Sequence, residues 1–232
     1  MKKYVNPCRV IRFYSYFCTH NQTIVIMRKF FFAILMALPL LATAQDNTWE
    51  RIEQEPVEAA NPDAKYLLPD AVPVVDGKVC WTTTISAPGK SAQQIYDILL
   101  AQLEKMVKEP NQIEGSTIVV NDTKKHQLGA VFHEWLVFKS ASLSFDRTKF
   151  NFTLEAKCSN EKVEVIMSRI TYDYDLDRDP KHYTAEEWIT DENAVNKDHT
   201  KLYPLSAKFR RKTIDRKDFI FNKFNALLND KK

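Results

Sequence analysis

The chain has 232 residues, 27% of them charged, and a formal net charge of +3 at pH 7. Its four glycines, Gly77, Gly89, Gly115 and Gly129, are too scattered for a Gly-x-Gly-x-x-Gly turn or a Walker-type loop, which excludes phosphate cradling by either device. The positive charge makes no case for nucleic-acid binding, because it comes from a segment that the sequence marks for removal.

That segment is residues 1–44. Met27-Arg28-Lys29 precedes the apolar run FFAILMALPLL (31–41) and the small residues Ala42-Thr43-Ala44. A basic start, a short apolar run and a small-residue cut site make residues 27–44 a secretory signal peptide cleaved after Ala44. The run falls short of the roughly 20 apolar residues of a membrane span. No cysteine stands near the cut, so no lipid anchor is expected and the mature chain has no transmembrane span. Residues 1–26 carry no acid and end just before Met27, which reads as a start assigned too far upstream rather than a long basic leader. Residues 1–44 hold six of the 33 Lys and Arg and none of the 30 Asp and Glu, so the mature 188 residues carry a formal −3. The expected location is the periplasm or the outside of the cell. Two cysteines remain, Cys80 and Cys158, too few for a disulfide framework and without paired zinc spacing.

Residues 45–70 are polar and proline-punctuated, a flexible leader to a single domain over 71–232. Asp76-Gly77 is a turn signal, and Lys78–Ser86 alternates as a strand. Ser91 is a good N-cap, after which Ile95, Leu99, Leu103 and Met106 recur at helical spacing and stop before Pro110. Four strands follow, at 116–121, 128–139, 142–158 and 162–176, the third with a bulge or break around Asp146-Arg147. In that strand Phe150, Phe152, Leu154, Ala156 and Cys158 share one face. Residues 177–209 mix short elements with loops. A last helix is expected from Asp215, its N-cap, to Leu228, with Ile220, Phe221, Phe224, Leu227 and Leu228 as its apolar stripe. The order β-α-β-β-β-β-α with short links predicts an α+β fold: an antiparallel sheet of about five strands with two main helices on one face.

Four stretches carry a resemblance: VPVVDGKVCWTTTISAPGKSAQQIYDILL (72–100), EWLVFKS (134–140), YTAEEWITDENAVNKDHTKLY (183–203) and KFRRKTIDRKDFIF (208–221). Together they resemble the bacterial envelope family called domain of unknown function 4468, described as having a TATA-binding-protein-like fold. The resemblance implies an exported protein with a curved sheet backed by two helices, and a first strand that neighbours the last. It supplies no catalytic residue, and the fold name is no evidence of DNA binding.

Candidate chemistry is sparse. His133-Glu134 opens like a zinc-protease motif, but Val137 stands where the second histidine belongs. The aspartates of YDYDLDRD (172–179) alternate as in a calcium loop, yet Pro180 occupies the position that needs glycine. No metal and no cofactor is therefore expected. Lys208, Arg210 and Arg211 cluster around Phe209 and could hold an anionic envelope ligand; a solvated edge is the plainer reading. In FHEWLVF (132–138), Phe132, Leu136 and Phe138 share a face, while Trp135 and Val137 lie on the other. Something apolar should cover that second face: residues 177–209 are the cheapest cover, a partner or apolar ligand the alternative. YTAEEWITDENA (183–194) reads as structural. Thr184 and Glu187 form a capping box, Trp188 plugs the core, and Asp191 caps a second turn.

Two functions remain. The first is a non-enzymatic envelope module that binds an envelope protein or an apolar or anionic ligand on its sheet face or rim, and not nucleic acid. The alternative is a hydrolase-like enzyme built on the carboxylates of 173–192. N-terminal sequencing of the exported protein should begin at or near Gln45; a mature chain retaining residues 1–26 would contradict both the start and the cut.

Overall fold

Ser91 shows how local chemistry sets the first long element. Its hydroxyl accepts from the Gln94 amide, and the Gln94 side chain accepts from the Ser91 amide, so two orphan donors at the helix start are satisfied. The helix then buries Ile95, Tyr96, Leu99, Leu103 and Met106 on one face. The computed structural model describes residues 61–141 and 144–230, without the side chains of 140–145; all of these belong to one compact unit. The signal peptide and the leader up to residue 60 lie outside the described residues.

In chain order the elements are α1 (Ala64–Leu67), β1 (Val74–Val75), β2 (Lys78–Val79), β3 (Trp81–Ser86), α2 (Ala92–Met106), β4 (Thr117–Asp122), β5 (Gln127–Ala141), β6 (Ser144–Ser159), β7 (Lys162–Tyr174), β8 (Lys181–Thr184), α3 (Ala185–Trp188), α4 (Asp191–Ala194) and α5 (Pro204–Asn229). β1 and β2 form a small hairpin. The main sheet is antiparallel throughout, in the order β3-β7-β6-β5-β4. β8 pairs with β7 at 171–174, past the end of β3, which pairs at 162–167. The sheet is thus five strands wide, and β8 continues the β3 column. This sixth strand was not legible because four residues leave too short an alternation to detect.

Both long helices lie on one face, α2 over β5, β6 and β7, and α5 against β3, β5 and α2. The core between the layers takes Phe150, Phe152, Leu154, Ala156 and Cys158 from β6, as alternation requires, with Val163, Val165, Met167 and Tyr172 from β7. The expected bulge near Asp146-Arg147 is present, but the extra residue is Phe138 on the partner strand: Val137 pairs with Arg147 and Lys139 with Asp146. No described helix is long and apolar enough to cross a membrane.

Two boundaries differ from expectation. The last helix starts at Pro204, with proline in its first turn, eleven residues before Asp215. Asp215 is no N-cap; it accepts from the Tyr66 hydroxyl at 2.8 Å and pairs with Lys65 at 2.6 Å. The early half of α5 escaped detection because its inward residues include Ser206, Arg210, Thr213 and Arg216, which break an apolar stripe. The domain also begins before residue 71. Tyr66 and Leu67 are buried, and Asp63 accepts both arms of the Arg211 guanidinium at 2.6 and 2.7 Å.

Sheet order separates the cysteines: β3 and β6 flank β7, and both thiols are free. Burial pushes the Cys158 thiol up to about 11, whereas Cys80 is half-exposed. Because the thiolate is the reactive form, native-state labelling at pH 8 should modify Cys80 well before Cys158. Unfolding without reductant should then release Cys158 at once; a persistent unreactive pair would show a bond the fold does not permit.

Candidate functional site

Among the described residues every helix packs on one side, which leaves the other face of the sheet without a described helical cover. Strand alternation and register place on it Val131, His133, Trp135 and Val137 of β5 opposite Thr153, Asn151, Lys149 and Arg147 of β6. Trp135 is half-buried, and the Arg147 guanidinium lies over its ring at 3.6 Å from the centroid. This is a cation–π stack that shields part of the indole while leaving an amphipathic, planar surface toward solvent.

Beside the stack a hydrogen-bonded row crosses four strands. His133 Nδ1 lies 2.6 Å from Asn151 Oδ1; Asn151 Nδ2 donates to the Asp173 carboxylate and to Thr171; and His182 Nδ1 lies 2.7 Å from Asp173. Partial burial alone would raise the Asp173 carboxyl, but the hydrogen bonds from His182 and Asn151 outweigh it and hold the group below its ordinary 3.8. The row fixes side chains across β5, β6, β7 and β8 and so stiffens the face beside Trp135.

The basic cluster is not one patch. Lys208 donates to Asp146 and the Tyr174 hydroxyl, both at 2.7 Å, and lies over the rings of Phe138, Tyr174 and Phe209. Arg210 is fully buried, bonded to the carbonyls of Tyr66 and Ile189 and to Asp191. Arg211 holds Asp63. Helical geometry sends the three to different partners, so an anion arriving from solvent meets no shared cradle.

Residues 183–194 follow the structural reading in all but two respects. Thr184 Oγ1 accepts from the Glu187 amide, and the Glu187 carboxylate reaches back to the Thr184 amide. Trp188 stacks on Tyr183 with ring centroids 4.0 Å apart and meets Phe209 edge-on. The second turn, however, has Thr190 rather than Asp191 at its N-cap; Asp191 instead pairs with Arg210. The segment also covers the helical side: Phe209, its aromatic partner, packs on Phe138 and Tyr172 of the core. Residues 177–209 therefore do not supply the cover expected over Trp135.

The carboxylates of 173–192 do not converge. Asp173 is held by Asn151 and His182, Asp175 by Arg178, Asp179 by Lys181, and Asp191 by Arg210. Glu186 accepts from the Val79 amide at 2.8 Å, tying α3 to β2. Acid–base chemistry needs two such groups aimed at one point, and these are distributed among separate structural tasks. Glu134 was weighed only as part of a rejected zinc-protease motif, and its place in the core was missed. It is fully buried on the core side between Phe132 and Leu136, bound by Arg216, and its in-facing parity was the available signal.

A family model described as "Domain of unknown function (DUF4468) with TBP-like fold" matches residues 81–173. A crystal structure of a DUF4468 family protein from Bacteroides ovatus is 38% identical, with a TM-score of 0.68, over 74% of this chain and 98% of that one. The chain belongs to the DUF4468 family. A TBP-like protein from Parabacteroides distasonis shares the fold at 19% identity and a TM-score of 0.56, over 70% of this chain and 100% of its own. No curated protein matches. Membership of this family brings with it a TBP-like α+β fold and no named activity.

Two measurements probe the site's framework. Denaturant melts should show Thr184→Ala costing about 1 kcal/mol as a lost cap. Trp188→Ala should cost about 3 kcal/mol, the low end for a vacated aromatic site because the ring is half-exposed. Since the folded pKa of Asp173 is depressed, its carboxylate contributes stability above the unfolded value, and that contribution drains as pH falls through the folded one. Asp173→Asn should therefore lower stability at neutral pH and flatten the acid side of the stability profile below about pH 4.

Proposed function

We propose that the protein is an exported cell-envelope binding module that engages a partner or ligand on its helix-free sheet face and catalyses no reaction. The observation that supports this most is Trp135, half-buried under Arg147 on the face away from both long helices. Tryptophan and arginine are the side chains that most often carry binding energy at interfaces, because each offers a wide planar surface with a polar edge. The stiff row from His133 to His182 fixes the surroundings of that pair, which lowers the ordering cost of association.

The location rests on the sequence: a signal peptide ending at Ala44, no cysteine near the cut, and a periplasmic or extracellular mature chain of formal charge −3. That charge disfavours a nucleic acid and suits an envelope protein or an apolar or anionic small molecule. The dispersal of the 173–192 carboxylates disfavours the hydrolase-like alternative.

Native mass spectrometry of protein purified from its own envelope tests the reading. The wild type should retain a molecule that the Trp135→Ala variant loses, with the fold of the variant unchanged by its melt. A wild type that carries nothing, or a variant that keeps the same mass undiminished, would contradict it.

A further inference from the structure

A cleft of about 210 Å³ lies in the β4–β7 part of the sheet, lined by Val119, Val120, Gly129, Val131, Glu155 and Arg169 among others. Both strands that bound it are bulged beside it. On β4 the register shifts between Ile118 and Val120, leaving Val119 56% and Val120 44% exposed on a strand edge. On β7 the shift sets two residues, Arg169 and Ile170, opposite Phe152, and Arg169 adopts φ +55°. A non-glycine residue in that conformation is strained, and bulges of this kind re-aim side chains beside functional sites. Gly129 completes the shape: a Cβ there would come within 3.1 Å of the Val120 side chain, so its absence lets that valine settle close against β5.

Three charges line the cleft: Arg169 and Lys157 are exposed and Glu155 is half-buried. Lys157 is engaged by Glu164 at 3.5 Å. Glu155 and Arg169 lie on neighbouring strands and line the same cleft. Among the described residues neither has a hydrogen-bond or ion-pair partner in its side chain, and they do not pair with each other. Two opposite, uncommitted charges beside an apolar wall are complementary to a molecule with both charges and an apolar arm. The volume lies below the roughly 300 Å³ at which drug-sized pockets begin, which restricts the occupant to the size of a single residue.

We propose that this cleft binds a free apolar α-amino acid. Its carboxylate meets the Arg169 guanidinium, whose planar fork suits a carboxylate. Its ammonium faces Glu155, and its side chain lies on Val119, Val120 and Val131. The proposal rests on the reading of the helix-free face as a binding surface and gives one part of that face a ligand class.

Calorimetric titration of the mature chain tests it, with leucine as the probe. Three analogues each lack one feature: 4-methylpentanoate has no ammonium, isopentylamine no carboxylate, and glycine no apolar arm. Leucine should bind saturably and at least tenfold more tightly than any of the three. Arg169→Gln and Glu155→Gln should each weaken leucine at least tenfold, while Arg178→Gln, in the exposed turn after β7 and outside the cleft, leaves it unchanged. No saturable leucine binding, equal binding of 4-methylpentanoate, or indifference to both cleft variants would overturn the proposal. The molecule retained from the envelope, and its dependence on Trp135, is read in a separate experiment, so failure of the cleft is distinguishable from failure of the face.

Discussion

A buried ion pair between Glu134 in β5 and Arg216 in α5 holds the two layers of this protein in one arrangement. Both side chains are fully buried; Arg216 meets both carboxylate oxygens of Glu134 at 2.8 Å and Glu109 at 3.1 Å. Gln112 adds a donor to Glu134 at 2.7 Å. Burial by itself would push the Arg216 guanidinium down, and the two carboxylates more than offset that, so it remains charged. Such a pair contributes little net stability relative to apolar residues of the same shape, because desolvation consumes most of the attraction. Its consequence is geometric: any slip of α5 along the sheet would strand a charge in the core.

The same helix face repeats the device one and two turns earlier. Thr213 bonds the buried Tyr172 hydroxyl at 2.7 Å, and Arg210 gathers the carbonyls of Tyr66 and Ile189 with Asp191. Residues 210, 213 and 216 follow helical spacing, so one stripe of α5 reaches the N-terminal segment, the 177–209 segment and the sheet in turn. The described helices are thereby drawn to one side. The opposite face is left with Trp135, the His133–His182 row and the cleft at Arg169, which is why a functional reading turns to that face.

Much of this architecture was legible from residues alone. Alternation in 144–159 and 162–174, the Ser91 capping box and the Thr184–Glu187 box are local patterns, and local chemistry determined them. What escaped is what local patterns cannot carry. Arg210, Arg216 and Glu134 are charged residues on inward faces, and hydropathy reads such positions as surface. That inversion hid the first eleven residues of α5 and turned a set of internal anchors into an apparent basic patch. Of the residues proposed for the binding face, Trp135 is the one the sequence pattern singles out, because an aromatic on the off-core parity of a strand stands out. Arg169 and Gly129 escaped, since a bulge conformation and a missing Cβ show only against their neighbours in space.

A double-mutant cycle on Glu134 and Arg216, read by urea unfolding, tests the central claim most directly. Glu134→Leu and Arg216→Met should each destabilise by about 3–5 kcal/mol, since each leaves the other charge buried without its partner. The double variant should recover most of that loss, giving a coupling well above the ~0.5 kcal/mol expected of independent sites. Additive losses, or single variants as stable as the wild type, would contradict the claim that this pair fixes the helical layer on the sheet.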